Sequence, residues 1–289
     1  MFVTFLDVVI GGLLLGGIFA LIAVGLSLQY GVAHVLNISH GEFIMLGAFI
    51  TWAMFTGFGV SPLISLFVIG PVLFGLGFII HKVLFRRLRI KSESVGAFEA
   101  SSLLASFGLL FIIQNLAIMT WGAGIQGYTY LAFPVNIGGA VFGANRLVTL
   151  FFALLIGVIF YLFIARTRLG KAIRAAAQDP AMAGIMGVNI DHVLALVFGF
   201  GAMLAGLAGS LLSMTISLNV AMGLPFTIIA IIVVVLGGLG SIPGSFIGGF
   251  LLGLVGNIVT YLDPGLALVA YYAIFMLLLI VRPTGILGR

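Results

Sequence analysis

Charged residues occur in only a few short stretches of this chain, and the long stretches between them carry no charge. No Asp, Glu, Lys or Arg occurs in residues 8–41, 100–145 or 192–262. A helix of about 20 largely apolar residues crosses a bilayer, so each of these stretches can hold a span and more. Only 7% of the 289 residues are charged, against about 25% in soluble domains. Lipid must therefore cover much of the surface.

The apolar sequence divides into segments of spanning length. They cover residues 6–29, 40–57, 62–81, 98–121, 147–165, 192–214, 224–240, 245–262 and 266–281. These segments predict an all-α fold, a polytopic transmembrane helical bundle with about eight to ten membrane segments, some broken or re-entrant. Because no shift in composition marks a soluble domain, we expect residues 1–289 to form a single transmembrane domain.

The basic residues gather at the ends of apolar segments. One cluster lies within residues 82–91, another within 166–174, and Arg282 and Arg289 lie near the C-terminal end. Such clusters mark the cytoplasmic side of a membrane protein. They account for the net charge of +5 without a nucleic-acid partner. With both clusters and the C-terminal end inside, an odd number of crossings places the N-terminus outside. Residues 122–144 lie between two spans opposite the basic clusters, so we expect them to form an external loop.

Polar side chains interrupt the apolar sequence after the first segment. They are Gln29, Asn37, Ser39, His40 and Glu42. A charged residue at bilayer depth costs about 2.5–3.5 kcal/mol, so these side chains should face protein or a cavity. A helix that begins inside the membrane is typical of transporter binding sites. We predict that the five residues line a substrate pathway.

The same run has a simpler interpretation as a loop on the cytoplasmic side. Asn37 or Ser39 would then only cap the helix that begins near Gly41. Glu42 in the first turn would suit the helix dipole. In either case Glu42 is expected as a structural hydrogen-bond partner more than as a substrate ligand.

The longest polar stretch, residues 167–191, predicts a helix-turn-helix at the cytoplasmic surface. Asp179 and Pro180 are a favourable N-cap and first position for its second helix. Its basic and apolar side chains could dock a partner: Arg168, Lys171, Arg174, Met182, Ile185 and Met186. The alternative is an interfacial amphipathic loop that has no partner.

Small residues recur every four positions at Gly237, Ser241, Ser245, Gly249 and Gly253. This spacing lines one helix face and lets two backbones approach closely. A set of packing or hinge glycines lies at the start of this stretch: Gly237, Gly238, Gly240 and Gly244.

Nothing in the sequence predicts an enzyme. The glycine-rich turn lacks the Gly-Lys-Ser/Thr of a phosphate-binding loop. The chain has no cysteine and only four histidines, and no catalytic or metal-ligand spacing stands out. We therefore expect no catalytic residue, no metal site and no cofactor. If ATP drives transport, another polypeptide must bind it.

The order and spacing of several motifs resemble the permease family of branched-chain amino acid ABC importers, specifically the LivH-type subunit. The motifs cover residues 25–31, 37–42, 167–175, 178–187, 235–241 and 282–287. The resemblance implies a bacterial inner-membrane protein that works by alternating access. It also implies a LivM-like second permease subunit, two ATPase subunits that bind ATP and a periplasmic substrate-binding protein. In that scheme residues 167–191 dock on the ATPases, and the run 37–42 lies near the pathway.

The substrate follows from the resemblance alone, with leucine, isoleucine and valine as the default. Related permeases import urea, short amides, and aromatic or other carboxylic acids. An alternative of another class is an ion-coupled secondary transporter, in which Glu42 would be the first coupling residue to test. It would leave residues 167–191 without a role.

Overall fold

The computed structural model describes residues 2–282 and 284–287. Pro283, in the C-terminal motif, and Arg289, in the terminal basic pair, lie outside these residues. The helices are α1 (Phe2–Ala33), α2 (His40–Phe58), α3 (Pro62–Ile80), α4 (Arg86–Lys91), α5 (Val95–Trp121), α6 (Ala144–Arg166), α7 (Arg168–Gln178), α8 (Pro180–Ile185), α9 (Ile190–Ser213), α10 (Gly223–Gly237), α11 (Ile242–Leu262) and α12 (Ala267–Val281).

Within the described residues, nine helical segments are long and apolar enough to cross a membrane. They coincide with the nine apolar segments of the sequence, so the prediction of a polytopic helical bundle is confirmed. The third segment is longer than expected, because a π-helical turn, His81–Phe85, joins α3 to α4. The basic residues 82–91 therefore lie on a helix that continues out of the apolar segment.

The segment 122–144 contains a β-hairpin that the sequence did not indicate. Strand β1 (Pro134–Ile137) pairs antiparallel with β2 (Ala140–Gly143) through a two-residue turn. Gly138 and Gly139 both have positive φ, as this type of turn requires. The fold is thus all-α except for this hairpin.

Helix α1 lies at the centre and packs against α6, α9, α10 and α11. Its contact with α11 is close because small residues meet there. A Cβ atom on Gly253 would collide with the backbone of Gly16, and one on Gly249 would collide with the backbone of Ala20. Since lipid removes the hydrophobic drive between helices, such close approach is what holds a membrane bundle together.

The sequence predicted that the stripe of small residues lies on one helix face, but the stripe is divided between two helices. Helix α10 ends at Gly237, and Ser241 is the N-cap residue of α11, whose side chain accepts a hydrogen bond from Gly244 N–H at 3.2 Å. Only Ser245, Gly249 and Gly253 share a helix face. The four-residue spacing continues across the turn between α10 and α11. Glycines occur there because the connection is tight, and not because they line a helix face.

One end of the bundle carries the two basic clusters, residues 82–91 and 166–174, and we call it the basic end. At the basic end, Arg86 Nε donates to Asp191 Oδ2 at 3.1 Å, which ties α4 to α9. At the opposite end, Gln126 and Leu218 pair through their backbones. Helix α1 begins at this opposite end, beside β2. The C-terminal residues lie near the basic end, where Ile286 N–H donates to Leu236 O. The chain therefore crosses an odd number of times.

The opposite end is held by two partly buried hydrogen bonds. The Tyr128 hydroxyl lies 2.7 Å from Ser213 Oγ, and Asn145 Nδ2 donates to Met214 O at 2.7 Å. Burial raises the pKa of Tyr128 to about 12, although its hydrogen bond with Ser213 opposes the shift. The hydroxyl therefore stays protonated, and the loops before α6 and after α9 remain joined.

Candidate substrate pathway and docking segment

The chain between α1 and α2 is a break inside the bundle, which we call the broken segment (residues 34–39). Helix α2 begins at His40, whose Nε2 lies 3.1 Å from Ile22 O of α1. Ile22 precedes the end of α1 by 11 residues, about 16 Å along the helix axis. Helix α2 therefore starts well inside the membrane.

Three of the predicted pathway residues form one chain of hydrogen bonds. Gln29 Nε2 donates to Phe198 O on α9 at 3.2 Å, and Asn37 Nδ2 donates to Gln29 Oε1 at 3.2 Å. Asn37 Oδ1 accepts from Ser39 N–H at 3.1 Å and from Ser39 Oγ at 2.7 Å. These polar groups hold the broken segment against α1 and α9. Apolar side chains alone would leave backbone groups of the broken segment without hydrogen-bond partners.

The cap of α2 comes from another helix. Ser39 occupies the N-cap position, but its side chain makes no cap hydrogen bond, because it donates to Asn37 instead. Gly41 N–H donates to Thr227 Oγ1 of α10 at 2.7 Å, and the same hydroxyl donates to Ile38 O at 3.0 Å. The prediction that the Ser39 side chain caps the helix is thus wrong. Asn37 Oδ1 pairs the N–H of Ser39, the N-cap residue, and Thr227 pairs the N–H of Gly41 in the first turn.

Glu42 is 1% exposed and lies beside Gly223, the first residue of α10. A Cβ atom at Gly223 would collide with the Glu42 carboxylate. Neither carboxylate oxygen has a hydrogen-bond partner among the described residues. The expectation of Glu42 as a structural hydrogen-bond partner is therefore wrong. The N-terminal ends of α2 and α10 both meet it, and their dipoles favour negative charge.

All five predicted pathway residues are buried, together with Thr227. They lie where α1, α2, α9 and α10 converge, so a substrate reaches them only when these helices separate. Sequence reasoning missed Thr227 and also Ser106 of α5, whose Oγ accepts from Ile38 N–H at 3.1 Å. Each is a single hydroxyl residue in an apolar segment. Only its contact with the broken segment in the structure distinguishes it from the other Ser and Thr residues of the spans.

Replacing Thr227 with Val should destabilise the permease, because Gly41 N–H and Ile38 O both lose their partner. An unpaired buried polar group costs about 1–3 kcal/mol. Thermal unfolding in detergent measures the effect. Thr227→Ser is the matched control and should unfold near the wild-type temperature. Equal unfolding temperatures for the Val and Ser variants would contradict the capping role.

Replacing Glu42 with Gln should leave thermal stability close to that of the wild-type protein, since no protein hydrogen bond is lost. Loss of transport at normal stability would then identify a pathway role. Gln29→Leu is the contrasting variant: it removes the partner of Asn37 and should lower stability by about 1–3 kcal/mol. A large drop in unfolding temperature for Glu42→Gln would show that the carboxylate anchors the fold.

Residues 167–191 fold into the predicted helix-turn-helix, which we call the docking segment. Thr167 Oγ1 caps α7 by accepting from Gly170 N–H at 3.0 Å. Asp179 Oδ1 caps α8 by accepting from Ala181 N–H at 2.9 Å and from Met182 N–H at 3.0 Å. The predicted N-cap at Asp179 is therefore confirmed.

The docking segment carries apolar side chains that no described residue covers. Met182 is 62% exposed, Ile185 80% and Met186 84%. Its basic residues Arg168 and Lys171 are exposed as well. Arg174 is exposed too, and its Nη2 donates back to Ala165 O at 3.2 Å. The helices are fixed to the bundle on their other side, and one face is left free.

A cavity of about 500 Å³ lies between the docking segment and the bundle at the basic end. Its lining includes Pro180 of α8, Ile190 of α9, Ala33 at the end of α1, and His34. The first residue of α8 thus faces the start of the broken segment across this space. The docking segment contacts α1 directly through α7, and a displacement of the segment can reach the end of α1 through that contact.

The glycines Gly237, Gly238, Gly240 and Gly244 form the turn between α10 and α11. A Cβ atom at Gly237 would collide with the backbone of Gly244, and one at Gly240 would meet the Cα of Gly31. Gly238 and Gly240 also have φ values of 104° and 80°, which favour glycine. Their packing role follows from these contacts.

Comparison with known proteins agrees with this architecture. Residues 8–282 match the family described as branched-chain amino acid transport system / permease component. The chain belongs to this family. It is therefore a permease component of a transport system and a multi-pass inner-membrane protein, with its basic end on the cytoplasmic side.

Full-length relatives support the assignment. The chain is 34% identical to the high-affinity branched-chain amino acid transport permease BraD of Pseudomonas aeruginosa, over 99% of this chain and 96% of the relative. It is 31% identical to LivH of Escherichia coli, over 100% of this chain and 97% of that permease. A probable LivH of Methanocaldococcus jannaschii is 27% identical, over 96% and 91%. No solved structure matches the chain significantly.

Proposed function

We propose that this chain is the permease subunit of an ATP-binding-cassette importer that carries leucine, isoleucine and valine across the inner membrane by alternating access. A LivM-like second permease subunit completes the pathway. Two ATPase subunits bind ATP at the cytoplasmic end, and a periplasmic binding protein delivers the substrate. The chain itself binds no nucleotide and catalyses no reaction.

The exposed apolar face of α8 carries the proposal. Met182 and Ile185 of the capped helix α8, and Met186 directly after it, are exposed and lie outside the nine candidate spans. We infer that a protein partner covers them, because they lie beyond the apolar segments that meet lipid. Flanking Arg168 and Lys171 add charge at the rim, as is usual for protein interfaces.

The coupling route follows from the position of the docking segment. Closure of two ATPase subunits displaces α8. Helix α7 packs against both α8 and α1, so it carries the movement to the helix that precedes the broken segment. The movement thus reaches the broken segment, where Asn37, Ser39 and Glu42 lie between helices that must separate for substrate to pass.

The branched-chain substrate rests on the family and on the printed names of the relatives. The described spans contain no buried Lys or Arg to hold a carboxylate. Backbone N–H groups at a broken helix can bind a carboxylate instead. Urea, short amides and aromatic or other carboxylic acids are the substrates against which leucine must be compared.

Transport by the purified complex in liposomes tests the proposal. With ATP inside and the binding protein outside, labelled leucine should accumulate, and excess isoleucine or valine should compete, whereas urea should not. Uptake of urea or an aromatic acid in preference to leucine would overturn the substrate. Omission of ATP is the control and should abolish uptake.

A second candidate, an ion-coupled transporter, is favoured by one observation only: Glu42 is buried and its carboxylate has no hydrogen-bond partner among the described residues. Buried ionisable residues in membrane spans often carry coupling protons. Under this alternative, a proton gradient without ATP drives uptake, and Glu42→Gln abolishes it. The ABC importer shows no uptake under that gradient alone.

A further inference from the structure

Helix α5 is attached to the bundle along a narrow stripe. Its buried residues follow one another at three- or four-residue intervals: Phe98, Ser102, Ser106, Leu110, Ile113 and Ala117. Ser106 faces the broken segment, since its Oγ accepts from Ile38 N–H at 3.1 Å. Helix α5 therefore lies over the broken segment and presents its other side away from the chain.

Asn115 lies on that outward side. It follows Ser106 by nine residues, about two and a half helical turns, so the two side chains point in opposite directions. Asn115 is exposed, and its Nδ2 donates to Phe111 O at 2.8 Å. This bond uses one of the two amide hydrogens and leaves the other hydrogen and Oδ1 directed outward.

The depth of Asn115 makes this exposure unusual. It precedes Trp121, the last residue of α5, by six residues, about 9 Å along the axis. Trp at a helix end is typical of the membrane interface, so Asn115 lies in the hydrocarbon region. Polar side chains at this depth face protein or a water-filled cavity, because lipid cannot pair with them.

At comparable depth, the peripheral helices α3 and α12 expose no amide or charged side chain among their described residues. Helix α3 exposes Phe67 and Val68 below its outer end, and α12 exposes Val269 and Tyr272, whose one polar group is the hydroxyl. Within the described spans, no amide other than that of Asn115 is exposed. Gln114 is half-buried beside it. The outward face of α5 thus differs chemically from the surfaces that meet lipid.

Resting on the proposed function, we propose that the outward face of α5 lines the water-filled pathway between this chain and the second permease, with Asn115 as a substrate-contacting residue. An amide both donates and accepts hydrogen bonds. It therefore matches a zwitterionic α-amino acid, whose carboxylate accepts and whose ammonium group donates. The aliphatic side chain of the substrate can lie along Phe111, which is exposed on the same face about one helical turn from Asn115.

Single cysteines test access to water directly, because the natural chain contains none. Asn115→Cys and Phe67→Cys lie at similar depths below the outer end, and both native side chains are exposed. In the complete transporter in liposomes, a charged, membrane-impermeant methanethiosulfonate should modify Asn115→Cys and leave Phe67→Cys unmodified. Leucine with its binding protein and ATP should alter the rate at Asn115→Cys. Equal protection of both cysteines, by lipid or by a dry protein contact, overturns the proposal.

Transport by amide variants separates substrate contact from simple exposure. Asn115→Leu should slow leucine uptake on the order of tenfold, the loss of one hydrogen bond to a charged group. The amount of assembled complex should be unchanged, and Asn115→Gln should recover part of the rate. Wild-type uptake by Asn115→Leu overturns substrate contact. If the wild-type complex itself does not carry leucine with ATP, the proposed function fails instead, while the cysteine result still reports on the pathway.

Discussion

Replacing Ile185 with Asp is expected to abolish ATP-driven transport and to leave the permease folded. The Ile185 side chain is 80% exposed, so the substitution disturbs no packing within the chain. Against an ATPase it places an unpaired carboxylate in an apolar contact, and central contact residues of this kind contribute about 2 kcal/mol or more to binding. Uptake of labelled leucine and the amount of ATPase retained by the purified complex measure the effect.

Ile90→Asp is the matched control for this substitution. Ile90 is 69% exposed on α4 at the basic end, outside the docking segment and outside the lining of the cavity. Transport should therefore continue. Normal transport by Ile185→Asp would show that α8 is not the docking surface.

Replacing Gly253 with Leu is expected to prevent the permease from accumulating in the membrane. Even the Cβ atom would collide with the backbone of Gly16 in α1. Overpacking of a well-packed core costs about 1–3 kcal/mol and occasionally more, and here a backbone must yield. The smaller variant Gly253→Ala should still fold, and it should unfold at a lower temperature than the wild-type protein. Membrane yield and thermal unfolding measure both variants.

Gly75→Leu is the control for size and hydrophobicity within a span. A Cβ atom at Gly75 of α3 would meet nothing within 4 Å. Leu is also a better helix former than Gly by up to about 1 kcal/mol. Gly75→Leu should therefore accumulate as well as the wild-type protein. Comparable yields for the two Leu variants would contradict the role assigned to the α1–α11 contact.

The features that the sequence predicted correctly are those with a local physical cause. Charge-free stretches long enough to cross a bilayer predicted the nine spans, because hydrocarbon excludes charge irrespective of the neighbours in space. Asp179 followed by Pro180 predicted the start of α8, since an N-cap acts within three residues. The polar run after α1 left two interpretations open, a helix that begins inside the membrane and a cytoplasmic loop; the contact of His40 with Ile22 O, 11 residues before the end of α1, favours the first.

The features that the sequence did not predict depend on contacts between distant segments. Thr227 caps α2 from another helix, whereas a local argument could offer only Asn37 or Ser39. Glu42 was expected to be hydrogen-bonded, but α10 begins beside it with a glycine that offers no side-chain partner. Asn115 became informative only when the structure showed on which side of α5 it lies.

The most direct test of the central claim is purification of this chain in a gentle detergent from its native host, with mass spectrometry of the proteins that accompany it. The account predicts a second permease subunit and two ATPase subunits, and it predicts that Ile185→Asp loses the ATPases while keeping the second permease. Recovery of the chain alone, competent for transport in liposomes without ATP, would contradict the account.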